Sequence, residues 1–453
     1  MIYSQDEETI IAHCTPQGSG AIALLRVSGA SAISIVSAIA QLPNNKLLQD
    51  QATHTVHYGW VVDDHGNHID QVMFILMRAP RTFTGQDSVE ITCHNNPFLI
   101  DVIIQQTIRH GARLAQPGEF TQRSFSNGKI DLVQAEAINE LIHAQTQMAL
   151  KKALAQLEGS FSNWIADIEK SLVKIYAWCE ASFEFLEEER DFTDHIKLTT
   201  NQVLINIAAC KKVFDAQQSI RTGIRIALIG AVNAGKSSLF NALLHHKRSI
   251  VTAIPGTTRD SIEAGLQRNG NYWTLIDTAG LRQTADSIEQ EGIERSLQEA
   301  QKADIILLVL DASRNLLPAE QEIYQKIRTD YAHKIIEVKN KADLLTCVDT
   351  NTIHVSALTG YNCSILEAAI EEKITSLFTS IESPFLLNQR QHNLLIGLEQ
   401  KLLLILGMLD TINHYELISY HLRDALEHIS ELTGKTISEA GMDAVFKEFC
   451  VGK

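Results

Sequence analysis

Residues 230–237 read G-A-V-N-A-G-K-S, and each residue type in that run suits the holding of a phosphate chain. Glycines let a loop wrap closely with its backbone N–H groups pointing inward, and a helix opening behind it adds positive potential. Lys236 would reach β- and γ-phosphates, Ser237 would ligate Mg²⁺, and Asn233, Ala234, Gly235 and Ser238 would complete the cradle.

Such a loop needs a strand before it and a helix after it. Ile224–Ile229 is an apolar run of strand length, and Ser237–Leu244 has helical spacing. Further apolar runs follow at Tyr272–Ile276, Ile305–Leu310, Ile335–Val338 and Ile353–Val355, alternating with helical stretches between about 221 and 378. That alternation predicts a doubly wound, mainly parallel sheet, with ligands at the carboxyl ends of its strands. Three polar segments lie at those ends. Asp277-Thr278-Ala279-Gly280 offers a carboxylate for water-mediated Mg²⁺ contact and an N–H for a γ-phosphate. Asn340-Lys341-Ala342-Asp343 offers, in Asp343, an acceptor for guanine N1–H and its 2-amino group, a pair adenine lacks. Ser356-Ala357 would back the base. In this order on successive strands, the segments resemble a GTP-binding domain of the Ras-like superfamily.

Hydrolysis needs an oriented water and neutralised phosphoryl charge, often from a Gln and an arginine finger. Here Leu281 follows Gly280, and an apolar residue cannot orient water. Asn233 supplies a side-chain oxygen in the loop instead. The stretch Thr252, Ala253, Ile254, Pro255, Gly256, Thr257 and Thr258 supplies hydroxyls and carbonyls for an oxygen cage, with Thr258 on Mg²⁺. A monovalent cation held in that cage could do the work of an arginine.

The rest of the chain bounds these readings. At 453 residues, two to four domains are expected. A formal charge of -15 excludes a chain-wide polyanion binder, so any nucleic-acid surface must be a local basic patch. The acidic start MIYSQDEETI is unlike a signal or transit peptide, and the greasiest run, Leu402–Leu409, is too short to span a bilayer. Seven cysteines form no CxxC, which fits reduced thiols in a cytoplasmic chain. Residues 1–118, with runs Ala21–Val27, Val72–Met77 and Val89–Thr92, predict an α/β domain. From 119 to 220 the spacing is helical, with a stripe of Trp164, Ile168, Leu172, Ile175, Cys179 and Phe183. From 379 to 453 it is helical again, with Leu422, Leu426, Ile429 and Leu432 in one stripe. The economical layout is one helical domain into which the α/β domain 221–378 is inserted.

N-A-G-K-S-S, P-G-T-T-R-D and D-T-A-G-L-R resemble potassium-activated GTPases of translation-factor type, ribosome-assembly GTPases included. The flanks narrow this. ETIIAHCTPQGSGAIALLRVSG, TFTGQDSVEITCHNNP, QPGEFTQRSFSNGKIDLVQAEAINELI and the terminal FCVGK are similar to the MnmE (TrmE) family of tRNA uridine-modifying GTPases. The resemblance implies an N-terminal folate-binding and dimerising domain, a helical domain and an inserted G domain. It implies work with an FAD-containing MnmG partner on the wobble uridine of certain tRNAs. A 5-formyl- or 5,10-methylene-tetrahydrofolate would serve the one-carbon step, and G-domain pairing in K⁺ would drive GTP hydrolysis. By motif, Asn233, Thr252, Ile254 and Thr257 would ligate K⁺, Ser237 and Thr258 Mg²⁺, and Glu289 would orient the water. Arg26, Glu90, Lys129 and Lys453 would contact folate. Departures from the family are Val232 for Pro, Pro255 for Ala and Val451 for Ile. Rival expectations are a ribosome-assembly GTPase and a GTP-gated scaffold without modification chemistry.

Cys450 stands fourth from the end, the register of a prenylation box, but Gly452 and Lys453 occupy its deciding places. The resemblance puts the C-x-G-K tail against the folate pocket, with Cys450 as a catalytic candidate. No membrane association is expected.

Overall fold

Period-two burial along the early strands builds the first of two sheets. In the computed structural model the described residues are 8–16, 18–184, 192–211, 214, 221, 223–245, 251–252, 262–277, 297–345, 352–379, 385–411, 415–447, 449 and 452. The chain divides into two units: residues 1–139, 156–201 and 394–453 form one, and 140–155 with 202–393 form the other.

In the first unit the strands are β1 (Ile10–His13), β2 (Ile22–Ser28), β3 (Ala40–Gln41), β4 (Thr55–Val62), β5 (His68–Met77), β6 (Ser88–His94) and β7 (Arg113–Leu114). Their order is β3-β4-β5-β6-β2-β1-β7, antiparallel except for the β1–β7 pair. Along β5, Val72, Phe74 and Leu76 are buried while Gln71 and Met73 are exposed, so one face of the sheet is core. Helices Ala32–Ile39 and Pro97–Arg109 cover that face, through Val36, Ile39, Ile100 and Ile103. The second helix starts on Asn96, whose side chain accepts the Phe98 N–H, with Pro97 in the first turn.

The helical part of this unit includes Ser160–Glu184 and Tyr415–Thr433. The expected stripe holds at Ile168, Leu172, Ile175 and Cys179, all buried. Its start differs: Phe161 and Ile165 are fully buried, and Trp164 is only half-buried. In the later helix Ala425 is buried where the spacing predicts Leu426, which is half-buried. Helix Gln389–Thr411 extends the greasy run read from the sequence. Its stretch Gln389–Leu409 is long and apolar enough to cross a membrane by length and composition. Leu395, Leu398, Leu402, Ile405 and Leu409 form one buried stripe, while Leu403 and Leu404 are about half exposed and 28% of the span is buried.

The chain end returns to the N-terminal region. Phe446 and Phe449 pack with Leu132 and Ala135. Gly118, at φ 71°, lies so close to Phe446 that a Cβ there would stand 2.3 Å from the Phe446 carbonyl oxygen.

The second unit carries β8 (Ile224–Ile229), β9 (Val251–Thr252), β10 (Ile262–Arg268), β11 (Asn271–Asp277), β12 (Ile305–Asp311), β13 (Ile335–Asn340) and β14 (Ile353–His354). The order is β14-β13-β12-β8-β11-β10-β9, parallel from β14 to β11 and antiparallel in β10 and β9. Apolar side chains fill both faces: Ile226, Leu228 and Leu307 on one, Ile229, Ile306 and Leu308 on the other. The expected doubly wound, mainly parallel sheet is present.

One buried ionic cluster ties the first unit together. Glu119 accepts from Arg113 Nη1 and Nη2 at 2.8 and 2.7 Å, from Arg123 Nη2 at 2.7 Å, and from the Gln116 N–H at 2.8 Å. Arg123 Nη1 also reaches the Glu8 carbonyl at 2.8 Å and Gln86 Oε1 at 3.0 Å. Burial by itself would raise the Glu119 pKa, but the bonds from Arg113, Gln116 and Arg123 outweigh it and hold the carboxyl below its ordinary 4.5. Glu119→Gln should cost about 3 kcal/mol in urea unfolding, because it strips the shared charge from two guanidinium groups. The sign with pH follows from the lowered value. The native chain keeps this contribution above about pH 4.5 and loses it progressively at lower pH, whereas the variant's stability should lack that component.

Candidate functional site

The loop between β8 and helix Lys236–His245 is shaped by contacts that only certain residues permit. A Cβ on Gly230 would stand 2.2 Å from the Val309 carbonyl oxygen on β12, and one on Gly235 (φ 89°) 2.2 Å from Asn340 Nδ2. Asn233 adopts the left-handed conformation, φ 63°, and its side chain is exposed at the turn. Ala234 is buried, while Ser237 and Ser238 lie exposed in the first turn of the helix. Lys236 folds back on the loop, donating from Nζ to the Gly230 and Ala231 carbonyls at 2.7 and 2.9 Å. Burial lowers its pKa, and the neighbouring Asp277 carboxylate partly offsets this. Asp277 itself is buried at the end of β11.

The other strand ends converge on the same loop. Asn340 is 2% exposed; its Nδ2 donates to the Ala234 carbonyl at 3.0 Å, and its Oδ1 accepts the Ala357 N–H at 3.1 Å. Ser356 is buried and Asp343 exposed. Lys341, at φ 68°, donates to Asp311 Oδ2 at 2.6 Å. Burial would raise the Asp311 pKa, but hydrogen bonds from Lys341 and Ser313 hold it below the usual carboxylate range. Asp311 was not anticipated, although its place at the end of β12 obeys the strand-end rule. The remaining expected contacts lie outside the described residues: Ala253, Ile254, Pro255, Gly256, Thr257, Thr258, Thr278, Ala279, Gly280 and Glu289. Thr252 is described only as backbone in β9.

A second cluster sits on the first sheet. Arg26 and Glu90 are direct cross-strand partners, and Arg26 donates from Nε and Nη2 to Glu90 Oε1 at 2.9 and 2.8 Å. The guanidinium lies 5.7 Å from the Phe83 ring centre and 5.6 Å from that of Phe120. Lys129 Nζ donates to the Pro80 carbonyl at 2.9 Å, and a Cβ added at Gly85 would stand 3.4 Å from the Lys129 Cγ and Cδ. The 80–85 segment thus meets Lys129 through the Pro80 carbonyl and the Arg26 guanidinium through the Phe83 ring. Both phenyl rings escaped sequence reasoning, since nothing local marks them.

Cys450 and Lys453 are outside the described residues, but Gly452 is buried against the end of β1. Its carbonyl accepts the Cys14 thiol at 3.2 Å. The next residue but one before Cys14 is Ala12, the direct partner of Arg26. Of the four expected folate contacts, Arg26 and Glu90 are paired here, Lys129 is held on the Pro80 carbonyl, and Lys453 lies outside the described residues.

Comparison with known proteins matches the family described as GTP-binding protein TrmE N-terminus to residues 9–129, and the MnmE helical domain to residues 132–450. The chain belongs to the MnmE family. A tRNA modification GTPase MnmE from Fervidobacterium nodosum is 36% identical over 462 residues, covering 99% of this chain and 98% of the relative. That of Geobacillus thermodenitrificans is 37% identical, covering 98% and 99%. A solved structure of Era from Aquifex aeolicus overlaps 33% of this chain and 56% of its own at 28% identity. The TM-score of that overlap is 0.27.

MnmE-family membership gives the Asn340 amide a ready test. Asn340→Ala removes the link between the Ala234 carbonyl and the Ala357 N–H in a buried place. Fluorescence titration with a labelled guanine nucleotide should show affinity falling by about 100-fold, as expected for two lost hydrogen bonds of about 1–1.5 kcal/mol each.

Proposed function

We propose that this chain hydrolyses GTP and couples hydrolysis to modification of tRNA. The full-length match to tRNA modification GTPases carries the reading: 36% identity spans 99% of this chain. In this reading the segments are an N-terminal folate-binding and dimerising domain (1–118), two parts of a helical domain (119–220 and 379–453), and an inserted G domain (221–378).

On the nucleotide, Lys236 leaves the Gly230 and Ala231 carbonyls for the β- and γ-phosphates. Asp343 accepts from the guanine edge, with Ser356 and Ala357 behind the base. The buried carboxylate of Asp277 beside Lys236 suits a hard cation, and Ser237 and Thr258 would hold Mg²⁺ directly. Bound there, Mg²⁺ supplies charge neutralisation across the phosphates. The exposed left-handed Asn233, with oxygens of Thr252, Ile254 and Thr257, would hold K⁺, which supplies the positive charge of an arginine finger. Glu289 then orients the attacking water.

The Arg26–Glu90 pair fits a folate. Both Arg26 bonds fall on Glu90 Oε1, so Oε2 would be left to accept from the amino edge of a pterin, and Phe83 and Phe120 would offer apolar walls. Lys129 and Lys453 suit the glutamyl carboxylates, and Cys450 would face the one-carbon end. The same sheet face carries the row Val56, Ile75, Glu90 and Arg26, with Val56, Tyr58 and Met73 about half or more exposed. An apolar sheet face of this kind supports pairing of two copies through the N-terminal domain. An FAD-containing MnmG partner would complete the chemistry on the wobble uridine.

Nucleoside analysis of tRNA from cells lacking this protein should show the 5-carboxymethylaminomethyl group gone from the wobble uridine. An unchanged profile would sink the proposal. Hydrolysis should run at least about tenfold faster in KCl than in NaCl, the order expected for charge neutralisation in the transition state; equal rates would remove the K⁺ assignment. Arg26→Ala should abolish binding of 5-formyl-tetrahydrofolate in calorimetry and leave GTP hydrolysis near normal. Unaltered folate binding would detach Arg26 from that site.

A further inference from the structure

The peptide of Ala231 is held from both sides. Its carbonyl accepts from Lys236 Nζ and from the Ala234 N–H at 3.2 Å, and its N–H donates to the Tyr324 hydroxyl at 2.6 Å. Tyr324 lies on helix Pro318–Asp330, outside every phosphate-binding motif, and is 3% exposed. Its ring packs with Ile229, Leu308 and Ile327, so the phenol is fixed at the end of β8. The two holds differ in permanence. Lys236 must release the Ala231 carbonyl to reach a phosphate, whereas the tyrosine contact points away from the cradle and can persist.

The same helix reaches the base-reading end of the site. Glu320, one turn before Tyr324, accepts from Arg314 Nη1 and Nη2 at 2.9 and 2.6 Å and from the Leu317 N–H. Arg314 stands 4.0 Å from Asp311, the partner of Lys341. One helix thus braces the phosphate loop through Tyr324 and the Asn340–Asp343 segment through Glu320, Arg314 and Asp311.

We propose that Tyr324 is a positioning residue for the phosphate loop, its hydroxyl fixing the Ala231 peptide while Lys236 exchanges loop carbonyls for nucleotide phosphates. Without that anchor, the turn leading to Asn233 would lose its outer support when Lys236 departs, and bound nucleotide would be held less firmly. The inference rests on a guanine nucleotide occupying this loop.

Tyr324→Phe keeps the ring in its core and deletes only the acceptor. Release of a fluorescent GDP analogue from the full chain, followed by stopped flow, should be about tenfold faster than from the parent, with GDP and non-hydrolysable GTP affected alike. A merely structural tyrosine would shift the urea midpoint and leave release unchanged. Release within about twofold of the parent would overturn the proposal. Hydrogen exchange on the unaltered, nucleotide-free chain gives an independent reading. The Ala231 amide should be protected like those of β8, and exchange as fast as at the exposed Val232 would also overturn it. Failure of both chains to bind nucleotide would instead bring down the nucleotide reading of the loop, and this inference with it.

Discussion

The buried amide of Asn340 is the interaction on which the nucleotide region depends. It reaches the Ala234 carbonyl in one direction and the Ala357 N–H in the other, so one side chain sets the spacing between phosphate loop and base-backing segment. A buried amide bonded at both ends is rigid, because breaking either bond leaves a polar atom without water. Gly235 follows from the same contact, since any side chain there would enter the space of Nδ2. The parallel order of β11, β8, β12, β13 and β14 delivers all of these groups to one end of the sheet.

The first unit solves a different problem, the placing of charge on a sheet face. Arg26 and Glu90 neutralise each other across β2 and β6 while two phenyl rings shield the guanidinium. Behind them the Arg113–Glu119–Arg123 cluster ties residues near the start of the chain to the helix Glu119–Ser126. The Arg26–Glu90 pair stays partly exposed, whereas the charge of the Arg123–Glu119 pair is buried and holds the frame.

What could be read from the sequence was local. The strands β8, β11, β12 and β13 are near-continuous apolar runs, and the loop after β8 combines glycine, lysine and serine at fixed spacing, so both were legible. The pairing of Arg26 with Glu90 was not, because it joins residues 64 apart and depends on sheet register. β3 and β7, two residues each, carry too little pattern to stand out. The helix Ser160–Glu184 was legible as a helix, but its buried edge was misplaced by treating Trp164 as core. A tryptophan can cover apolar neighbours with its large ring half in water, and Phe161 and Ile165 take the fully buried places beside it. Tyr324 is marked by no spacing in the sequence, whereas Asp311 ends the apolar run of β12, where the strand-end rule places ligand-facing groups.

The first unit is closed by its own far end. The Cys14 thiol meets the Gly452 carbonyl across 438 positions of sequence, and Gly118 packs on Phe446. Such closure looks costly, with residues 140–155 and 202–393 belonging to the other unit between the parts it joins. The entropy of bringing two chain positions together rises only logarithmically, by about 0.6 kcal/mol for each doubling of the intervening length. A folded insert shortens the effective tether further, because its own core removes most of its residues from the loop. An α/β unit can therefore interrupt the helical part at little thermodynamic cost, provided the contacts that close the first unit are buried and specific. Gly118 is specific in this sense: its positive φ and the 2.3 Å approach admit no side chain. The tail at Gly452 is held at β1, the strand beside Arg26, by the same geometry that completes the fold.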